Sequence, residues 1–189
     1  MLISDQSGFS LVETLCALAV SSMVLLSGLH LLPKLHRQCH GGIQQMRLIQ
    51  QLNHALLFIE KDIRRAGLDT VTDEHPAVII AQRHGEPARS CLLVRYAFYA
   101  AEGHRAGQEL ITETFGYRMR RGALEMRRGV THCDGPGWVK MHDTHQWQVK
   151  RLQFDPVAQN GLRVIMTGVT CGGAGDKQTL TRFIARRNA

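Results

Sequence analysis

The chain opens on a stretch in which polar positions almost disappear. Residues 9–32 read FSLVETLCALAVSSMVLLSGLHLL, and their one formal charge is Glu13. At about 1.5 Å per residue such a run makes roughly 36 Å of helix, enough for a hydrocarbon layer about 30 Å thick. Ser21, Ser22 and Ser27 are compatible with that layer, because a helical hydroxyl can return its hydrogen bond to a carbonyl one turn back. Pro33 lacks a backbone donor and predicts a kink where the helix leaves the bilayer. Gly41-Gly42 marks a second weak point.

Past those glycines the pattern becomes periodic. Ile49, Leu52, Leu56, Ile59, Ile63 and Ala66 recur at steps of three and four, which predicts an amphipathic helix with its apolar stripe laid on a sheet. Gln50, Asn53, Glu60, Lys61 and Arg64 take the opposite face, and Gly67 is placed as a C-cap. From Ala77 onward helical periodicity gives way to short β-type runs broken by Gly, Pro and Asp. Strands are predicted over 78–81, 92–99, 110–117, 118–120, 123–126, 148–154, 162–167 and 179–184, with hairpin turns at Arg121-Gly122 and Gln159-Asn160-Gly161. The expected architecture is α+β. A long N-terminal helix, transmembrane in its first half, packs by its second half on an antiparallel sheet. The expected division is a leader at 1–8, a spanning helix at 9–32, an amphipathic stalk at 33–67 and a β-rich head at 68–189.

Charge sharpens this split. The chain has 189 residues and a formal net charge of +7, yet its first 32 residues hold no Lys or Arg and carry −2 through Asp5 and Glu13. Everything basic therefore follows the apolar run. An average apolar content excludes a disordered tail, a collagen-like fibre and a polytopic membrane protein. A cleaved secretory signal is excluded too, because no basic residue precedes the run and no small-x-small site follows it.

Gly8-Phe9-Ser10-Leu11-Val12-Glu13, leading directly into a spanning helix, resembles the processing motif of type IV pilins and type II secretion pseudopilins. The resemblance implies a pilin-like fold, cleavage by prepilin peptidase after Gly8 and N-methylation of the new terminal Phe9. It also implies a single-pass inner-membrane precursor, N-terminus cytoplasmic and head periplasmic. Lys34 and Arg37, read by the positive-inside rule alone, would favour the reverse. An ionisable group in a spanning helix costs on the order of 2.5–3.5 kcal/mol, so Glu13 calls for a partner or for snorkelling towards head groups. In the family such an acid pairs with the N-terminal ammonium of a neighbouring subunit, and each charge loses water only as the other arrives. Residues 60–67, EKDIRRAG, resemble the end of the first helix in J-type pseudopilins and minor pilins, and residues 124–138 resemble a stretch of minor pilins. The implied function is that of a minor pilin that initiates or caps type IV pilus assembly beside other minor and major pilins. The alternatives are a J-type pseudopilin of type II secretion and a DNA-binding pilin for DNA uptake.

The chain has five cysteines. Cys16 lies in the apolar run and counts as a small hydrophobe. In an oxidising compartment the first choice of pair is Cys91–Cys133, worth about 3–4 kcal/mol on the chain-entropy model, with Cys39 and Cys171 left over. Sequence alone leaves the connectivity open. His132, Cys133, Asp134, His142, Asp143 and His145 invite a zinc site, but three or four ligands would have to converge. Solvated loop histidines are the simpler reading, and no metal or cofactor is expected. No G-x-S-x-G, P-loop or H-E-x-x-H is present, and Gly172-Gly173-Ala174-Gly175 reads as a loop, so an enzyme is not expected. Arg118, Arg120, Arg121, Arg127 and Arg128, with Phe115 and Tyr117 close by, form the densest basic cluster. A hairpin would set alternate members on one face, for DNA phosphates, for an acidic partner subunit, or simply as a solvated surface.

Overall fold

Both apolar patterns fall on one helix, α1 (Leu11–Arg65). The structure, a computed structural model, describes residues 10–68, 76–99, 110–157, 160–171 and 177–187, the side chains of 30–32, 35 and 37–40 excepted. Pro33 and Gly41-Gly42 lie inside α1. A proline deletes one i→i−4 hydrogen bond, and the turns on either side keep their own. The chain divides between Ile43 and Gln44 into two compact units.

In the second unit α1 supplies one wall of the core. Leu48, Leu52, Leu56, Ile59, Ile63 and Ala66 are all buried. The stripe thus begins at Leu48 and not at Ile49, which is half-buried. Just past the helix the Gly67 N–H donates to the Arg95 carbonyl (2.9 Å), carrying the chain onto the sheet.

Two antiparallel sheets pack on that stripe. The first runs in order β1 (Val78–Ala81), β2 (Cys91–Tyr99), β3 (Leu110–Arg120), β4 (Ala123–Arg128), β5 (Val139–Lys140). The second is β6 (Trp147–Val157), β7 (Gly161–Thr170), β8 (Lys177–Ala185). This is the α+β, pilin-like arrangement expected. The two runs predicted at 110–117 and 118–120 are one strand, β3, which continues straight into the Arg121-Gly122 turn. There Arg121 (φ 48°) and Gly122 (φ 78°) give the two left-handed residues that a tight hairpin requires. At Gly168 a Cβ would sit 2.9 Å from the Leu52 side chain, so α1 approaches β7 as closely as it does because that strand position has none.

The buried carboxylates of the unit, Asp62, Glu125 and Asp155, are all paired. Asp62, on the buried side of α1, accepts from the Tyr96 hydroxyl (3.0 Å) and the Tyr117 hydroxyl (2.5 Å), which fixes the helix to β2 and β3. Burial, reinforced by the Asp62 charge, pushes the Tyr96 phenol up to about 12 and the Tyr117 phenol higher still. On the second sheet Asp155 accepts from Gln153 Nε2 (2.8 Å), Arg89 Nη1 (3.0 Å) and Arg163 Nη2 (2.9 Å). The Gln153 hydrogen bond, then the two arginines, hold its carboxyl down at about 2 against the opposing effect of burial.

A pH dependence follows from Asp155. Its folded pKa lies below the unfolded value near 3.9, so its contribution is complete above about pH 4 and is lost as pH falls through about 2. With both arginines partly solvated, the contribution is about 1–2 kcal/mol. Urea midpoints of the full chain in detergent, followed by tryptophan fluorescence, should fall across that window. In Asp155→Asn the fall should be smaller by that amount; an unchanged acid profile would reject the assignment.

Candidate functional site

The first unit is built for an apolar solvent. Leu11–Leu29 is long and apolar enough to cross a membrane. Its large side chains are exposed, from 57 % at Leu15 to 75 % at Leu11. The hydroxyls along it bond inward: Thr14 Oγ1 to the Leu11 carbonyl (2.9 Å), Ser21 to Ala17 (2.7 Å), Ser22 to Ala19 (2.8 Å) and Ser27 to Val24 (2.8 Å). Each then presents little more than a methylene to its surroundings. Glu13 has no such recourse. It lies exposed in the first turn, where the free N–H groups of a helix start favour an acid, and makes no ion pair among the described residues. Gly8 and Phe9 lie outside the described residues.

The second unit holds a polar arrangement beneath a covalent tie. Cys91, at the start of β2, is joined to Cys133 in the loop after β4, with Cα atoms 6.2 Å apart and a sequence separation of 42. The loop is thereby held over the face of the first sheet that turns away from α1. Cys91, Leu93, Val130 and Cys133 make a small core there, and Trp138 packs against it. Trp138 fits because β3 carries Gly116 beneath it: a Cβ would stand 2.6 Å from the indole. Under this cover Arg118, 1 % exposed, donates from Nε to Glu125 Oε2 (2.8 Å) and from Nη1 to the Cys133 carbonyl. Its guanidinium stacks 4.2 Å from the Trp138 ring centre. Replacing both cysteines by serine should cost about 2–4 kcal/mol, read as a lower urea midpoint of the full chain. An unchanged midpoint would mean that the loop closes without the bond.

Separate family matches cover the N-terminal segment and the second unit. The prokaryotic N-terminal methylation motif matches residues 3–29. The family described as prepilin peptidase-dependent protein B matches residues 42–185. The chain belongs to the prepilin peptidase-dependent protein B family. Prepilin peptidase-dependent protein B of Escherichia coli (strain K12) is 29 % identical to it over 139 residues, 72 % of this chain and 70 % of that protein. No solved structure matches. The chain is thus a prepilin peptidase-dependent, pilin-like protein with an apolar N-terminal helix.

Within this member of the family the predicted arginine cluster loses its central member. Arg118 is the correction: it lies buried beneath the disulfide-held loop and contributes nothing to the surface. Arg127 donates to the Pro136 carbonyl within the same loop. Arg128 is paired through Nη2 with Glu113 (2.7 Å) and lies 5.5 Å from the Phe115 ring centre. Arg120 is half-buried, and Arg121 stands exposed at the turn. One signal for the buried pair was present in the sequence. Arg118 and Glu125 are equidistant from the Arg121-Gly122 turn, so a two-residue hairpin sets them opposite each other, and they are direct partners in the β3–β4 register.

The histidine cluster is also dispersed. Cys133 is occupied by its disulfide. His132 Nδ1 lies 3.0 Å from the Thr131 hydroxyl, and His142 stacks on Trp147 at 3.8 Å, where burial lowers its pKa. Asp134 accepts from the His84 N–H (3.2 Å). No group of three or more His, Cys, Asp or Glu side chains that could hold a metal ion occurs among the described residues. Cys16 and Cys171 carry free thiols, and the Cys39 side chain lies outside the described set.

Proposed function

We propose that the chain is a minor pilin, cut by prepilin peptidase after Gly8 and methylated at Phe9, that takes part in initiating or capping type IV pilus assembly. Before assembly it is a single-pass inner-membrane protein with its N-terminus cytoplasmic and its head periplasmic. It is the substrate of an enzyme and not itself one. The observation that carries this reading is Glu13, the one formal charge on an exposed apolar helix and five positions after Gly8. Lipid solvates the apolar surface of the monomer, and the helices of other pilins replace lipid in a fibre. The carboxylate then meets the N-terminal ammonium of its neighbour, which relieves both charges. A J-type pseudopilin of type II secretion would use the same physics. DNA uptake has less support, since the arginine cluster on which it rested has lost its central member to the interior.

The test is N-terminal sequencing of the full chain co-expressed with prepilin peptidase. The expected terminus is N-methylated Phe9. An uncut chain, or a terminus elsewhere, overturns the proposal.

A further inference from the structure

The second half of α1 carries a second stripe on its outer side. Leu57, Phe58, Lys61 and Arg65 follow at steps of one, three and four, so they share a face distinct from the Leu52-Leu56-Ile59-Ile63 stripe of the core. Leu57 is 50 % exposed and Phe58 57 %. Two shallow grooves meet at Leu57 and Lys61. One, of about 660 Å³, runs on to Arg65, Leu68 and Arg187, and the other, of about 340 Å³, lies over Phe58.

Among the described residues the charges on this face are unbalanced. Of those residues Glu60 is the only acid lining either groove, and it is already held by Arg182 (2.5 Å) and Arg64 (2.8 Å), which keep its pKa low. Lys61 and Arg65 have no carboxylate partner among the described residues, and they stand four apart, where like charges repel along a helix. Two large apolar side chains ringed by such cations are a poor face to leave in water. A second copy of the chain does not answer the need, because it brings the same cations and a net charge of +7.

We propose that this face docks an acidic amphipathic helix of a partner protein. The partner's apolar residues fill the grooves beside Leu57 and Phe58, and its carboxylates reach Lys61 and Arg65. The apolar pair supplies the affinity, and the cations select the sign of the partner. This docking does not depend on cleavage after Gly8.

The test uses the uncut full chain in phosphatidylcholine nanodiscs and a fluorescein-labelled amphipathic peptide of about 20 residues, long enough to be helical, with leucines on one face and glutamates on the other. A peptide with lysines in place of the glutamates is the control. Binding is read by anisotropy. The glutamate peptide should bind, the lysine peptide should not, and Phe58→Ser or the double variant Lys61→Glu/Arg65→Glu should each weaken binding by about tenfold or more. A photo-crosslinking residue in place of Phe58 should capture the glutamate peptide. No binding of that peptide, equal binding of both peptides, or indifference to both variants overturns the proposal. So does capture of lipid by the crosslinker in phosphatidylglycerol nanodiscs, which would make the face a membrane-binding one.

Discussion

Replacing Glu13 by alanine should leave cleavage after Gly8 intact and lower incorporation into a fibre by about two orders of magnitude. A carboxylate on a spanning helix raises the free energy of the lone subunit by on the order of 2.5–3.5 kcal/mol, and each 1.4 kcal/mol is a factor of about ten. On the proposed role, pairing with a neighbour's ammonium would remove that cost, so the acid would drive the helix out of lipid and into a bundle. Alanine abolishes the cost and its relief together. The variant is then at ease in the bilayer, where its hydroxyls already bond to its own carbonyls. Glu13→Gln, which keeps the size and loses the charge, should behave like alanine, whereas Glu13→Asp should retain part of the incorporation. Processing is followed by N-terminal sequencing, and incorporation by immunoblotting of sheared fibres against membranes. Incorporation of the alanine variant at the parental level would reject the pairing.

What can be read from the chain divides along physical lines. The length of an apolar run and the position of one acid within it are local properties, so the spanning segment and Glu13 are plain in the sequence. The stripe from Leu52 to Ala66 is legible for a related reason: only a helix with one buried face sustains an apolar period near 3.6 over four turns. The two-residue strand β5 is not legible, because two positions carry no period. Arg118 is the instructive case. Strand alternation places it opposite Tyr117 and Met119, which face the main core, and that much is correct. The inference that the opposite side is solvent fails, because a loop more than ten residues away in sequence is tied back over it by Cys91–Cys133. Cover of this kind is set by tertiary contacts, and alternation is blind to it. The outer side of α1 shows the converse. Lys61 and Arg64 belong to the polar face as expected, but Leu57 and Phe58 interrupt that face, and only exposure distinguishes them from core residues.

Arg118→Met should lower the stability of the β-rich unit by about 3–5 kcal/mol, the cost of stranding one member of a buried ion pair. Glu125, 6 % exposed, would be left without its counterion, and the Cys133 carbonyl would lose its donor. Methionine fills most of the arginine's volume, so the loss reports electrostatics and hydrogen bonding more than a cavity. The double variant Arg118→Met/Glu125→Leu should recover most of it, since apolar pairs often replace buried ion pairs without penalty. Urea denaturation of the full chain in detergent, read through Trp138 and Trp147, measures all three proteins, and a single variant within about 1 kcal/mol of the parent would contradict the buried pair. Reduction of Cys91–Cys133 adds a second axis. The disulfide places the Cys133 carbonyl over Arg118, so the guanidinium stabilises less once the loop is released. The losses from reduction and from Arg118→Met should therefore sum to less than expected, with a coupling of about 0.5–3 kcal/mol. Strict additivity would mean that the loop stays closed on Arg118 without its covalent tie.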